Sequence, residues 1–239
     1  MMHPYDIPNH LLPLLEKLKG ADLSEYRTKM GISKERLNLL HDVLSGKQNV
    51  RNLDSKVDIQ LFALKTVFKA EYLAAKVKPL DGGTKHLITY DPPKNGQNII
   101  KHGLSFTELV TYSPGFGILM VPCPSKDDCE RLVIFNRLKV HEGYEFNLPT
   151  KVMRERSDLC TLTIALTEGE GFRVISCRPF HRDNWDRIMA AELKGIYADE
   201  PKEKKAFIEK CQKKVEGELF GPMWSPGYEP PARVVRPGA

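Results

Sequence analysis

The sequence has no long hydrophobic run, since no segment approaches the ~18 consecutive apolar residues that a membrane-spanning helix needs. The first fifteen residues contain three prolines and Asp6 but no basic cluster, which argues against a secretory signal. Hydrophobic residues still make up 41% of the 239, enough to bury a sizeable core. We therefore expect a folded cytoplasmic protein that does not bind membranes.

Cysteine is scarce and irregularly spaced. The five cysteines include Cys123 and Cys129, six residues apart, with no second pair and no pair of histidines near them. Zinc sites need paired ligands at regular spacings, and disulfide frameworks need an even number of cysteines. The sequence therefore predicts reduced thiols, no metal and no cofactor.

A strong excess of one charge is also absent. The formal net charge is +5, from 36 Lys and Arg against 31 Asp and Glu. Residues 86–192 are close to neutral, with 13 basic and 14 acidic side chains, so the positive excess lies on the flanks. This balance is compatible with a nucleic-acid partner but does not require one.

The hydrophobic pattern predicts an α+β protein in three parts. Residues 1–80 are predicted to be helical, with the longest apolar stripe running from Val57 to Tyr72 at helical spacing. Residues 198–239 are predicted to form an amphipathic helix followed by a Pro/Gly-rich tail. A loop containing Pro79, Gly82 and Gly83 marks the first boundary.

The middle part, residues 85–197, mixes strand and helix patterns. A short strand at 86–90 precedes a helix at 91–102 that ends at Gly103. The helix that follows the strands is predicted at 183–197. A tight turn at 169–171 joins the last two of four β-like segments, which are 116–121, 131–137, 159–166 and 172–177.

Two motifs in this middle part carry the candidate chemistry. The segment DPPKNGQNIIKHGLSF at 91–106 places Lys94, Lys101 and His102 on one predicted helix. The segment FRVISCRPFHR at 172–182 contains Arg173 and Arg178 in an apolar strand, where each arginine needs a carboxylate or a phosphate as partner. On a regularly alternating strand, Arg178 lies on one face and Arg173 on the other.

The order of the two motifs resembles that of the BrnT-type toxins of bacterial toxin–antitoxin pairs. The resemblance covers about residues 87–187. Tyr90 stands where the family usually has tryptophan, and the matching positions are Asp91, Pro92, Lys94, Asn98, Lys101, His102, Gly103, Phe106, Arg173, Ile175, Ser176 and Arg178. The resemblance implies a RelE-like fold, a small antiparallel sheet with packed helices.

The resemblance also implies a metal-independent endoribonuclease that uses the ribose 2′-hydroxyl to attack the adjacent phosphodiester. RNA is then the substrate, an antitoxin or other protein is a partner, and the chain acts as a toxin or a delivered effector. The resemblance also suggests a role for each candidate residue. Arg173, Arg178 and Arg156 hold the phosphate; His181, His102 and Glu155 compete as acid and base; Lys94, Lys101, Arg154 and Arg182 contact RNA.

Several alternatives stay open at this point. A protonated His102 is also suited to stabilising a helix C-terminus, and lysines on a helix are commonly solvated. The near-neutral middle part favours a second hypothesis, an inactive scaffold that binds a protein or nucleic acid. Residues 24–49 faintly resemble a helix-turn-helix, which gives a third, a DNA-binding regulator. The added N-terminal helices are interpreted as either selecting the substrate or covering the sheet like a built-in antitoxin.

Overall fold

The predicted α+β class is confirmed by the computed structural model, which describes residues 7–77, 80–81, 87–123, 131–139, 146–156, 159–192 and 200–221. The helices are α1 (Leu12–Lys19), α2 (Arg27–Met30), α3 (Lys34–Leu44), α4 (Leu53–Val67), α5 (Lys69–Ala74), α6 (Pro92–His102), α7 (Phe106–Tyr112), α8 (Lys151–Glu155), α9 (Trp185–Glu192) and α10 (Pro201–Lys214). The strands are β1 (Leu80–Asp81), β2 (Ile88–Tyr90), β3 (Leu119–Pro122), β4 (Arg131–Arg137), β5 (Cys160–Glu168) and β6 (Gly171–Phe180).

One mostly antiparallel sheet organises the middle of the chain, with the strand order β1-β2-β6-β5-β4-β3. All neighbouring strands are antiparallel except β2 and β6, which run parallel. A tight turn joins β5 to β6 at the predicted place, and Gly169 adopts the positive φ of +58° that this turn requires. The topology places the second motif, on β6, directly beside the strand that precedes the first motif.

Helices cover both faces of this sheet. On one face, α9 and α10 pack through Trp185 and Phe207 against side chains such as Leu162 and Phe135. On the other face, α7 packs through Phe106 onto side chains of β2 and β6. Burial on both faces explains why consecutive residues of β4 and β5 are buried, including Thr161 and Thr163 on a strand that alternates apolar residues with threonines.

A further core joins the N-terminal helices to the first motif. Side chains of α1, α3, α4 and α5 bury Ile99 and Ile100 of α6, together with Leu148. Helices α4 and α6 cross closely, since a Cβ on Gly96 would lie 2.0 Å from the carbonyl oxygen of Asp58. Glycine at position 96 is therefore required for this crossing.

Several predicted boundaries differ from the observed ones. Strand β3 begins three residues later than predicted, because residues 113–118 form turns. Helix α9 begins at Trp185 after a short 3-10 helix, and residues 193–197 lie outside the described part of the chain. The loop at Pro79, Gly82 and Gly83 and the tail from residue 222 also lie outside it. The boundaries of the three predicted parts remain predictions.

Candidate functional site

The C-terminal end of α6 forms one side of the candidate site. Gly103 ends the helix in the left-handed conformation, with φ of +75°, as its position in the motif predicts. A Cβ at this position would lie 2.6 Å from the carbonyl oxygen of Leu148 and 2.8 Å from the amide nitrogen of Thr150. The glycine thus lets the segment before α8 approach the end of α6.

Asn98 holds α6 against β6. Its Nδ2 donates to the carbonyl oxygen of Leu104 at 2.8 Å, and its Oδ1 accepts from the backbone N–H of Cys177 at 3.0 Å. Strand β2 ends at Tyr90, opposite Val174, so the rest of β6 extends beyond its parallel neighbour. At this edge, the buried Asn98 amide accepts a hydrogen bond from the backbone of β6, as a neighbouring strand would. This bond holds the end of β6 close to the end of α6.

Lys101, His102 and Arg178 lie near the ends of α6 and β6, close enough for the charge of Arg178 to lower the pKa of the other two, and we call this group the basic corner. The two motifs therefore converge in space. Arg178 Nη1 lies 3.2 Å from Glu192 Oε1, at the end of α9. Lys101 is half-buried, and burial is the main cause that lowers the pKa of its ammonium group, with Lys94 and Arg178 lowering it further and Glu192 opposing them. Among the described residues, that ammonium makes no hydrogen bond or ion pair.

His102 is neutral at physiological pH, which corrects the interpretation of a protonated histidine at a helix end. Burial lowers its pKa to about 3, and the positive charges of Arg178, Lys101 and Arg36 lower it in the same direction. A histidine with so low a pKa is a weak base near neutrality. His102 therefore contributes a neutral hydrogen-bonding group to the basic corner rather than a charge.

Arg36, which the sequence analysis did not single out, supports the basic corner from α3. Its guanidinium donates through Nη2 to the carbonyl oxygens of Ile99 at 3.1 Å and Leu148 at 3.4 Å, and through Nε to that of Ile100. These carbonyls belong to the last turn of α6 and to the segment before α8; that of Ile99 also accepts from Gly103 N–H at 2.8 Å, and that of Ile100 is among the last carbonyls that a helix end leaves without helical partners. Arg36 thus ties three segments together.

A second group of candidates lies around Asp183. Arg156 Nη1 is 3.0 Å from Asp183 Oδ2, and His181 Nδ1 is 3.4 Å from the same oxygen. Arg182 lies between His181 and Asp183 in the sequence and begins the 3-10 helix before α9. The ring of His181 also accepts from the backbone N–H of Asn184, so the first turn of the 3-10 helix holds the ring while Asp183 places a negative charge beside it.

Arg173 lies on the same face of β6 as Arg178, so its predicted position on the opposite face was wrong. The register places Arg178 opposite Leu162 and Arg173 opposite Leu166, two residues on the same face of β5. Ile175 has no partner, because a β-bulge shifts the register between Ile164 and Ala165. The two arginines stand about 13 Å apart along the strand, so Arg173 is not part of the basic corner.

The remaining candidates are more exposed. Glu155 lies on α8 and approaches Lys151 at 3.7 Å, with 57% of its side chain exposed. Arg154 donates to the carbonyl oxygen of Pro149 at 2.9 Å. Lys94 lies on the exposed side of the first turns of α6. Of these three, Lys94 lies near enough to the basic corner for its charge to lower the pKa of Lys101.

Within the described residues, no group of histidine, cysteine, aspartate and glutamate side chains is arranged to hold a metal ion. The four cysteines in that part of the chain are buried free thiols. None of the described helices is both long enough and apolar enough to cross a membrane. No family model, no curated protein and no solved structure matches the chain.

Sequence reasoning missed three residues that the structure adds to the site. Asp183 was detectable, because it lies two residues after a candidate histidine. Glu192 was detectable as a carboxylate on the otherwise apolar stripe of α9. Arg36 gave no local signal, because its partners lie more than sixty residues away in the sequence.

Proposed function

We propose that the chain is a metal-independent endoribonuclease that binds an RNA phosphate at Lys101 and Arg178. The main support is the convergence of these two side chains, which come from separate motifs, at the basic corner. A half-buried ammonium that makes no hydrogen bond or ion pair with any described residue, and a guanidinium fork beside it, match the charge and geometry of a phosphate group. The resemblance to the BrnT-type toxins points to the same substrate class.

His181 is the proposed general base. It takes the proton from the ribose 2′-hydroxyl, and Asp183, 3.4 Å from its Nδ1, stabilises the positive charge that the ring then carries. The 2′-oxygen forms a bond to phosphorus, the bond to the 5′-oxygen breaks, and a 2′,3′-cyclic phosphate results. Arg178 stabilises the negative charge that accumulates on the phosphorane.

Lys101 is the proposed general acid. Burial and the neighbouring positive charges lower the pKa of its ammonium group, which makes it a better proton donor to the departing 5′-oxygen than an ordinary lysine. His102, neutral at the same pH, is less suited to that role. The need for a 2′-hydroxyl makes RNA rather than DNA the substrate.

The deciding experiment is RNA cleavage in EDTA by the purified chain, compared with Arg178→Ala, Arg178→Lys and Arg187→Ala. Arg187 is a matched control, because it is an exposed arginine on α9. We expect fragments with 2′,3′-cyclic phosphate ends from the wild type and from Arg187→Ala. Loss of a charge-stabilising group costs about 10²- to 10³-fold in rate, so Arg178→Ala should be nearly inactive.

The proposal fails if the folded wild type, free of copurified protein, leaves RNA intact. It also fails if fragments appear only when a divalent metal is added, or if Arg178→Ala cleaves as fast as Arg187→Ala. The resemblance implies a biological setting for this activity. The chain would act in cells as a toxin or effector, inhibited in the cytoplasm by an antitoxin.

A second candidate is a non-catalytic scaffold that binds RNA at the same corner. The observation that favours it is the pairing of Arg178 with Glu192, which occupies the guanidinium with a protein carboxylate. The two candidates differ in one outcome of the same experiment. A scaffold binds RNA in an Arg178-dependent way and leaves it intact.

A further inference from the structure

A cleft of about 310 Å³ lies between α3 and the segment before α8. Its volume is at the small end of ligand sites, which span about 300–1,000 Å³. Arg36 and Arg154 line the cleft, and Arg36 also bonds the last turn of α6. The cleft, which we call the α3 cleft, therefore adjoins the basic corner.

One face of α3 forms the polar wall of the α3 cleft. Glu35, Asn38 and Asp42 follow one another at steps of three and four residues, which places them in a row on the helix. Within the described part of the chain, none of these three side chains makes a hydrogen bond or an ion pair. Leu39 and Pro149 supply apolar surface in the same cleft.

The charge of the α3 cleft differs from that of the basic corner. Two carboxylates, Glu35 and Asp42, balance the two guanidinium groups that line the cleft. Among the described residues, the basic corner instead combines Lys101 and Arg178 with the carboxylate of Glu192. An RNA chain has the same division, since its phosphates are charged while its bases are neutral, flat and rich in hydrogen-bonding groups.

We propose that the α3 cleft binds the nucleobase next to the phosphate held at the basic corner, and that guanine is the base it prefers. The inference rests on the proposed function, because it assigns the base to an RNA whose phosphate occupies that corner. Guanine presents two adjacent donors, N1–H and the N2 amino group, to both oxygens of one carboxylate. An ionised carboxylate only accepts hydrogen bonds, and the Asn38 amide can donate to guanine O6.

The other bases fit this wall less well. Adenine and cytosine place an acceptor beside their amino group, and uracil has one N–H between two carbonyls. Each would direct a lone pair at a carboxylate of Glu35 or Asp42, which leaves polar groups unsatisfied. The apolar surfaces of Leu39 and Pro149 would contact the ring faces of any base, so discrimination depends on the two carboxylates.

Binding of mononucleotides to the whole chain tests the inference without requiring cleavage. The probes are 3′-GMP, 3′-AMP, 3′-CMP and 3′-UMP, measured by calorimetry with the wild type, Glu35→Gln, Asp42→Asn and the control Glu71→Gln. Glu71 is an exposed carboxylate on α5, away from the cleft lining. We expect the wild type to bind 3′-GMP about tenfold more tightly than the other three. At least one cleft variant should lose this preference, and Glu71→Gln should keep it.

Cleavage of a defined single-stranded RNA gives the second readout. We expect the ratio of cuts next to guanine to cuts next to other bases to fall in the same cleft variant and to be unchanged in Glu71→Gln. Circular dichroism checks that each variant is folded.

The outcomes separate this inference from the proposed function. Guanine-selective binding by a chain that cuts no RNA supports the α3 cleft and overturns the nuclease. Arg178-dependent cleavage without base preference, together with equal or undetectable binding of the four nucleotides, overturns the α3 cleft and leaves the nuclease standing. A preference that neither Glu35→Gln nor Asp42→Asn alters also overturns the cleft.

Discussion

Arg178 and Glu192 form an ion pair at 3.2 Å that joins the end of β6 to the end of α9, with 25% and 17% of their side chains exposed. The Glu192 carboxylate carries the same sign of charge as a phosphate and meets the same guanidinium. It also influences the nearby ammonium of Lys101. A phosphate that binds at the basic corner therefore competes with Glu192 for Arg178.

This competition predicts that Glu192→Gln increases the affinity for RNA. Removing the charge frees the guanidinium for a charge-assisted hydrogen bond, so we expect about tenfold tighter binding. The measurement is fluorescence anisotropy with a 2′-O-methyl oligonucleotide, which lacks the attacking hydroxyl and reports binding alone. Asp186→Asn is the control, because it removes one carboxylate from an exposed position on the same helix. Equal effects of the two variants would show that only net charge matters and that Glu192 does not compete.

A second prediction concerns the charge of His102. Because burial and three nearby cations lower its pKa to about 3, its ring should stay neutral from pH 8 to pH 5. The unfolded chain binds the proton near the usual pKa of 6.5, so the folded state loses stability as the pH falls below that value. Nuclear magnetic resonance of the ring nitrogens reports the charge directly. A ring that titrates near pH 6.5 would contradict the burial of His102.

A third prediction concerns Asp58, which lies fully buried between α4 and α6. Its Oδ2 accepts from Asn95 Nδ2 at 2.6 Å, whereas its Oδ1 has no hydrogen-bond partner among the described residues. Burial is the main cause that raises its pKa, to about 8 in total, with Asp54 and Asp91 acting in the same direction and the Asn95 hydrogen bond opposing them. The carboxyl is therefore largely protonated in the folded chain at neutral pH.

The sign of the pH effect follows from this direction. The folded state binds the proton more tightly than the unfolded state, so stability is complete below the ordinary pKa of 3.8 and is lost as the pH rises toward 8. The loss is roughly 1 kcal/mol per pH unit in that window. Asp58→Asn keeps an acceptor for Asn95 without the charge and should flatten this slope in urea unfolding between pH 6.5 and pH 8, above the range in which His102 has the opposite effect. The control Asp186→Asn should retain it, and an unchanged slope in Asp58→Asn would refute the assignment.

The sequence motifs predicted the framework of the site better than its chemistry. Gly103 was expected to end α6 and does so, because a helix end with this residue type has a strong local signal. Asn98 entered the sequence analysis only as a position of the BrnT-like motif, yet it is buried and bonds Cys177. Only the end of β2, a tertiary feature, creates the need for that bond.

The positions of the two β6 arginines show a second limit of sequence reasoning. Strict alternation placed Arg173 and Arg178 on opposite faces, but one extra residue in a β-bulge inverts every assignment on one side of it. No residue type near Ile175 in the sequence indicates the β-bulge. The pairing of Arg178 with Glu192 was equally hidden, because it depends on how α9 packs against the sheet.

The last prediction concerns the N-terminal helices and distinguishes an integral part of the site from a removable cover. A chain beginning at residue 78 loses the partners of Ile99 and Ile100, which are fully buried against those helices. Exposing two such side chains costs about 1.5–3 kcal/mol each, and the chain also loses the three hydrogen bonds of Arg36. We therefore expect the shortened chain to be largely unfolded by circular dichroism and harmless when expressed in cells. A well-folded fragment that is more toxic than the full chain would instead identify the helices as a built-in antitoxin.

Arg36→Ala in the full chain should give a milder loss of thermal stability than the truncation, because the shared core of Ile99 and Ile100 remains.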